Sequence, residues 1–276
     1  MNRVGNTTEM VLLSSDNLKK LSNSPLLSGQ PIFESLFHEG VVVCEGDADR
    51  CLYQTVAVKN LNNDSAFFVH SHGKQNIKDV VRLMHNSGVP VVAIVDIDIL
   101  NSKEELQSLL SALSPKGDFE QILETRSSIS QEIEGKDDSA VLADILIELN
   151  DLTSELHDNK ISVAKTRNKL ENIRKGVSKW DEVKSKGLSA LCAKQNESVT
   201  RLVDSCKENG LFIVYRGELE SWMDLGIGKR HKAKWVVKAM ELLNEKCPDD
   251  LSDFVKEVLA HLRNRGISIV EQGSSR

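Results

Sequence analysis

Short apolar runs alternate with amphipathic segments between residues 41 and 95. The runs at 41–43, 66–69 and 91–95 are continuous and rich in β-branched or aromatic residues, which is typical of strands in a parallel sheet covered on both faces. The segments at 47–58 and 76–88 carry apolar residues at helical spacing. The order strand, helix, strand, helix, strand predicts right-handed crossovers and therefore a doubly wound α/β fold with a mainly parallel sheet.

A helical region follows this core, because residues 118–206 contain few glycines and no proline. Apolar residues recur there at alternating spacings of three and four, which predicts a coiled-coil seam. The seam positions are Leu142, Ile145, Leu149, Leu152, Leu156, Val163, Leu170, Ile173, Val177 and Trp180. As one helix the seam would extend about 58 Å, whereas a break at 157–159 would give a hairpin of half that reach. The pattern fits both arrangements.

The α/β pattern returns after the helical region. A fourth apolar run at 211–215 predicts another strand, and a helix that ends near residue 245 follows it. A last amphipathic helix is predicted at 249–265, where Gly266 should end it. The long helical region therefore interrupts the sheet.

The segment before the first strand is polar and contains Pro25 and Pro31, so we expect a lead-in with at most a strand at 9–14 and a short helix at 16–21. The expected organisation is a lead-in (1–36), an α/β domain in two pieces (37–100 and 207–245), a helical insertion (101–206), and a C-terminal helix with a polar tail (246–276).

Composition narrows the class of protein. No apolar run approaches the roughly 20 residues that span a bilayer, and no signal peptide opens the chain, so we expect a cytoplasmic protein without a membrane partner. The five cysteines form no C-x-x-C pair, which argues against a disulfide framework. With 35 Lys and Arg against 41 Asp and Glu, the net charge is −6, so any nucleic-acid site must be local.

Acidic residues follow three of the predicted strands. Ligands of open parallel sheets bind beyond the carboxyl ends of the strands, so we expect the acids to form one cluster there. Its members are Glu45, Asp49, Asp96, Asp98 and Glu218 or Glu220. Asp96 and Asp98 are two residues apart, so in an extended chain their side chains point the same way and can share a cation. Carboxylates without His or Cys favour Mg²⁺ or Mn²⁺.

A cluster of this kind predicts chemistry on phosphodiesters. Two divalent ions roughly 4 Å apart can activate a water and stabilise the leaving oxygen. Basic residues at 229–234 would supply a cation for the scissile phosphate, and cations nearby would contact the nucleic-acid backbone. The acidic catalytic candidates are Glu45 and Asp96, and the candidates for backbone contact are Lys74, Lys229 and Arg230.

The segments 41–49 (VVVCEGDAD) and 93–98 (AIVDID) resemble the Glu-Gly and Asp-x-Asp motifs of a Toprim domain. Gly73-Lys74-Gln75-Asn76, the helical insertion and the later segment 215–220 (YRGELE) are similar to the Toprim half of OLD-family (overcoming lysogenization defect) nucleases.

The resemblance implies a nuclease with two Mg²⁺ or Mn²⁺ ions, held by the residues that match Glu45, Asp49, Asp96, Asp98 and the Glu218 to Glu220 segment. It also implies a catalytic lysine further on, for which Lys232 and Lys234 are the candidates because both lie where a helix is predicted to begin. OLD proteins carry an ABC-type ATPase before the Toprim half, but this sequence contains no G-x-x-x-x-G-K-[ST]. We therefore expect residues 1–36 to be the remnant of an ATPase region, or the ATPase to be a separate partner. The family further implies a homodimer, a DNA substrate and a role in phage defence or in the processing of DNA ends.

Other interpretations remain open. Structured RNA could replace DNA, since the metal chemistry is the same. A non-catalytic protein could use the helical insertion for assembly or partner docking. Asp96-Ile97-Asp98 also matches the start of the haloacid-dehalogenase phosphatase signature, although Ile99-Leu100 follows where Gly-Thr is usual.

Overall fold

The computed structural model describes residues 2–4, 7–9, 30–134, 138–157, 161–176, 179–227 and 232–273. Six strands lie in these ranges: β1 (Asn2–Val4), β2 (Thr7–Glu9), β3 (Val41–Cys44), β4 (Phe67–His70), β5 (Val91–Asp96) and β6 (Leu211–Val214). Strands β1 and β2 pair with each other as an antiparallel ribbon. The other four form one parallel sheet in the order β4-β3-β5-β6.

The helices of the described ranges are α1 (Gln30–Ser35), α2 (Asp47–Thr55), α3 (Ile77–Asn86), α4 (Lys103–Leu113), α5 (Glu120–Glu134), α6 (Asp138–His157), α7 (Val163–Gly176), α8 (Lys179–Lys186), α9 (Ala193–Glu208), α10 (Lys232–Leu243) and α11 (Asp249–Gly273). A π-helical turn (Val56–Asn60) extends α2. Short 3₁₀ turns lie at Lys74–Asn76, Ile97–Asn101, Gly187–Ala190 and Leu219–Trp222.

Helices cover both faces of the parallel sheet. Alternate residues of each strand point to opposite faces, so each apolar strand contributes side chains to two cores. Val41, Val43 and Ala93 face a core that is shared with α3, α4 and α9. Val42 and Ile94 face a second core, which is shared with α2, α10 and α11. The predicted doubly wound α/β fold with its parallel sheet is therefore confirmed, and the continuous apolar runs belong to strands buried on both sides.

The predicted seam lies on separate helices and not on one continuous helix. Helix α6 ends at His157 and α7 begins at Val163, so the seam is not one continuous helix. The two helices contact each other, and Lys169 Nζ lies 2.5 Å from Glu155 Oε1. Leu152 is buried in this region, but Val163 is 71% exposed. Helices α6 and α7 are therefore two separate helices in contact, and the coiled-coil seam stays a prediction.

The predicted end of the last helix is wrong. Helix α11 passes through Gly266 and continues to Gly273. The preceding turn is anchored to the core, because the Arg265 guanidinium donates hydrogen bonds of 3.1 Å to the carbonyls of Val91 and Leu113. These contacts offset the intrinsic helix-breaking tendency of a glycine in the next position.

Three further expectations concern the lead-in, the cysteines and membrane-spanning helices. The predicted strand at 9–14 and helix at 16–21 lie outside the described residues, apart from Glu9, which ends β2. All five cysteines are free thiols. No helix in the described ranges combines the length and apolar character required to cross a membrane.

Candidate functional site

Four of the predicted acids meet at the carboxyl-terminal edge of the parallel sheet. Glu45 directly follows β3, and Asp49 lies in the first turn of α2, where its Oδ2 accepts a hydrogen bond from the Gly46 N–H at 3.2 Å. Asp96 is the last residue of β5, and Asp98 lies in the 3₁₀ turn after it. The side chains are close enough for their charges to act on one another. The strand-end argument therefore placed these four residues correctly.

The expected local geometry of the Asp96 and Asp98 pair is wrong. The chain leaves the extended conformation at Asp96 and enters a 3₁₀ turn at Ile97, so the two side chains do not follow strand alternation. Ile97 is fully buried, and its N–H bonds the Gly217 carbonyl oxygen at 3.3 Å, which draws the chain away from the strand direction. The two aspartates still share one electrostatic environment.

The carboxylates are held in an environment that disfavours their charged forms. Burial raises the pKa of Asp96 well above its ordinary value, and the charges of Glu45 and Asp49 raise it further. Burial also raises the pKa of Glu45, with the charge of Asp98 as the next cause. The cluster therefore favours either the protonation of an acid or the binding of a cation, because each reduces the repulsion between the carboxylates.

Two oxygens of the cluster fit a divalent cation. Glu45 Oε2 and Asp98 Oδ1 are buried, and neither has a hydrogen-bond partner among the described residues. Asp98 Oδ1 has the Lys74 ammonium at 3.6 Å, which is beyond hydrogen-bond distance. A buried carboxylate oxygen without a hydrogen bond is costly, and coordination of Mg²⁺ or Mn²⁺ would satisfy it. Within the described ranges, no three His, Cys, Asp or Glu side chains already stand at ligand distances from a common point, so a cation would require side-chain adjustment.

Two lysines now lie against Asp98. Lys184 Nζ is 2.6 Å from Asp98 Oδ2, and Lys74 Nζ is 3.6 Å from Asp98 Oδ1 and 2.9 Å from Glu105 Oε2. Burial is the largest single influence on the pKa of Lys184 and lowers it, but the hydrogen bond to Asp98 and the charges of Asp98, Asp96 and Glu45 together outweigh burial, so the pKa is raised. Lys74 was expected to contact a nucleic-acid backbone, and the structure places it on the rim of the acidic cluster.

Lys184 was not among the predicted site residues. It lies near the end of α8, deep in the helical region and 86 positions after Asp98 in sequence. The surrounding sequence 179–186 (KWDEVKSK) reads as an ordinary polar helix, so no local pattern distinguishes this lysine from its neighbours.

The segment after β6 joins the same edge of the sheet. Gly217 accepts the Ile97 N–H, and Glu218 and Glu220 follow within the next three residues, both partly exposed. Glu218 precedes the 3₁₀ turn Leu219–Trp222, and Glu220 lies inside it. The segment is thus tied to the Asp96 to Asp98 turn by the backbone, and its role as a source of metal ligands stays a prediction.

The predicted basic residues are only partly described. Lys229 and Arg230 lie outside the described residues, and so does the side chain of Lys232, which begins α10. Lys234 is exposed in the first turn of α10. The roles assigned to these four residues therefore stay predictions.

Comparisons with known proteins agree with the motifs. Residues 36–98 match the family model of the overcoming lysogenization defect protein-like TOPRIM domain, which confirms the resemblance over that range. A search of curated proteins finds no match.

Solved structures of the C-terminal region of the Xanthomonas campestris pv. campestris OLD protein are similar to this chain. The platinum-phased structure is 14% identical with a TM-score of 0.38 and covers 89% of this chain and 100% of that one. The mercury-phased structure is 15% identical with a TM-score of 0.37 and covers 86% of this chain and 98% of that one.

Proposed function

We propose that this protein is a divalent-metal-dependent nuclease that hydrolyses DNA phosphodiester bonds at the acidic edge of its parallel sheet. The observation that carries the proposal is the pair of buried oxygens, Glu45 Oε2 and Asp98 Oδ1, which have no hydrogen-bond partner among the described residues in a cluster of interacting carboxylates. The OLD-like TOPRIM domain at residues 36–98 suggests a nuclease-type function and supports this assignment.

Each acid has a distinct part in the proposed site. Glu45, Asp96 and Asp98 would provide the core ligands, and Asp49 would add a carboxylate whose orientation is fixed by its bond to the Gly46 N–H. Glu218 or Glu220 would close the ligand set from the segment after β6. Two divalent ions held by these acids would supply an activated water and would stabilise the leaving oxygen. The sheet contributes rigidity, because Asp96 is the last residue of β5 and Glu45 directly follows β3.

The surrounding cations would recognise the phosphate backbone. Lys74 lies on the rim of the acidic cluster, where its ammonium could pair with a phosphate instead of Glu105. The basic stretch at 229–234, with Lys232 and Lys234 as the candidate catalytic lysines, would approach the scissile phosphate. Phosphate contacts carry little information about the sugar, so structured RNA is the alternative substrate to test.

The family resemblance extends the proposal to partners. We infer a system in which an ABC-type ATPase, as a subunit or domain, controls the nuclease, with a homodimer as the assembly and defence against phage as its role. The pair of helices α6 and α7 supports a docking function, since Leu146, Ile147 and Val163 expose most of their side chains.

The experiment is a cleavage assay with supercoiled plasmid, linear DNA and structured RNA in Mg²⁺, Mn²⁺ or EDTA. We expect DNA cleavage that requires the metal and is lost in Asp96→Ala. Asp79→Ala is the matched control, because Asp79 is a half-exposed carboxylate that pairs only with Arg82 among the described residues. Cleavage that survives EDTA or Asp96→Ala would contradict the proposal, and cleavage of RNA alone would correct its substrate.

A further inference from the structure

An ammonium from the helical insertion lies at the acidic cluster. Lys184 Nζ is 2.6 Å from Asp98 Oδ2, and the charges of Asp96 and Glu45 also act on it. Lys74 also lies near Asp98, but it is a full ångström farther away and is closer to Glu105. Lys184 is therefore the stronger counter-ion of the two in the absence of metal.

The position of Lys184 is fixed by backbone packing and not by a flexible loop. A Cβ atom at Gly217 would lie only 2.3 Å from the Lys184 carbonyl oxygen, and one at Gly187 would lie 2.4 Å from the Arg216 carbonyl carbon. The Leu188 N–H also donates to the Tyr215 carbonyl oxygen at 3.0 Å. The end of α8 is thus seated directly on the turn that follows β6.

The side chains around Lys184 support the same placement. Trp180 and Val183, on the same helix, are each 1% exposed and belong to the core on that side of the sheet. Trp180 Nε1 donates to Ser130 Oγ at 3.3 Å, which fixes the helix against α5. Because this packing fixes the backbone of α8, the Lys184 ammonium can leave Asp98 only if the Lys184 side chain changes rotamer or if α8 shifts.

We propose that Lys184 is a built-in competitor of the metal: its ammonium neutralises Asp98 in the metal-free site, and a divalent cation must displace it, so that metal occupancy is coupled to the helical insertion. This inference rests on the proposed function, because it takes the acidic cluster as the metal site. The physical reason is that an ammonium and a divalent cation cannot both occupy the same carboxylate at short distance without strong repulsion.

A competitor of this kind has a measurable signature. Removal of the ammonium leaves the carboxylates uncompensated in the metal-free protein, so Lys184→Met should lower its thermal midpoint in EDTA. The same removal relieves the competition, so Lys184→Met should bind Mn²⁺ more tightly by about fivefold or more, the usual range of coupling between two linked ligands. Opposite shifts in these two quantities separate competition from a merely structural role.

The test is a calorimetric titration of Mn²⁺ into EDTA-stripped full-length protein without nucleic acid. Wild type is compared with Lys184→Met, with the charge-conserving Lys184→Arg and with Lys186→Met. Lys186 is the matched control, since it lies two positions along the same helix and pairs at the surface with Glu182. We expect tighter binding in Lys184→Met only. If Lys184→Met fails to fold, Lys184→Gln takes its place.

The possible results distinguish the inference from the proposed function. If wild type binds Mn²⁺ and Lys184→Met binds it with equal or lower affinity, the competition is overturned and the nuclease proposal stands. If Lys184→Met binds Mn²⁺ more tightly than wild type, but wild type cleaves no nucleic acid in the cleavage assay, the competition is supported and the nuclease proposal is overturned. The absence of Mn²⁺ binding in every variant overturns both.

Discussion

Gly217→Ala tests how closely the helical insertion is seated on the acidic edge of the parallel sheet. Gly217 is buried with a φ of +106°, a conformation that costs an L-residue about 1–3 kcal/mol. Its new Cβ would lie 2.3 Å from the Lys184 carbonyl oxygen and 2.9 Å from the Gly187 nitrogen. Both neighbours are backbone atoms, so the steric clash can be removed only if α8 or the turn after β6 moves. This overpacking costs about 1–3 kcal/mol.

The two costs together predict a loss of about 4 kcal/mol in the free energy of unfolding, which corresponds to a drop of about 10 °C in the thermal midpoint. Differential scanning calorimetry measures the drop. Gly226→Ala is the control, because Gly226 also has a positive φ (+64°) but no described atom lies within 4 Å of a Cβ there. Its expected cost is about 1 kcal/mol. Equal midpoints for the two variants would refute the close seating of α8.

Three other predictions follow from buried polar groups. In EDTA, Asp96→Asn should be more stable than wild type, and its advantage should grow as the pH rises above the ordinary carboxyl pKa of about 3.9. Burial and the neighbouring acids raise the pKa of Asp96 in the folded protein, so its contribution to stability is favourable at low pH and is lost as the carboxyl ionises. A stability difference that does not change with pH would contradict this prediction. Tyr53→Phe should lower the free energy of unfolding by about 1–3 kcal/mol in urea titrations, since Trp222 Nε1 donates to its hydroxyl at 3.1 Å in a buried site, and an unchanged midpoint would argue against that bond. Burial raises the pKa of Cys206 to about 12, so its thiol should resist disulfide reagents in native protein at neutral pH and react only after unfolding; rapid native labelling at Cys206 would show that this core opens.

Much of the core could be predicted because its strands have an unambiguous pattern. The runs that became β3 and β5 are continuous and apolar, and only a strand covered on both faces accommodates such a run at that length. The position of Glu45 and Asp96 follows from the same argument, since each lies where a parallel strand ends.

The two wrong predictions, the end of α11 and the conformation at Asp98, have physical causes in the tertiary structure. Gly266 normally signals a helix end, but contacts of Arg265 with carbonyls distant in sequence keep α11 helical. Asp98 was expected to continue the strand, but the buried Ile97 turns the chain. Both outcomes depend on residues far along the chain, which a local pattern does not contain.

The contribution of the insertion to the site could not be predicted either. Lys184 reaches Asp98 because two glycines, Gly187 and Gly217, allow two backbones to approach closely. Each glycine is unremarkable in its own sequence context, and their meeting is a property of the tertiary fold. Helical periodicity predicted the helices of the insertion, and it carried no information about which of their side chains meets the sheet.

The central claim is that the acidic edge of the sheet holds divalent cations, and Mn²⁺ binding at neutral pH tests it most directly. We would titrate Mn²⁺ into EDTA-stripped wild type, Asp96→Asn and the surface control Asp79→Asn, and follow bound Mn²⁺ by electron paramagnetic resonance. The account predicts binding of two ions by wild type and by Asp79→Asn and a marked loss in Asp96→Asn. Equal binding by all three proteins, or none by wild type, would contradict it.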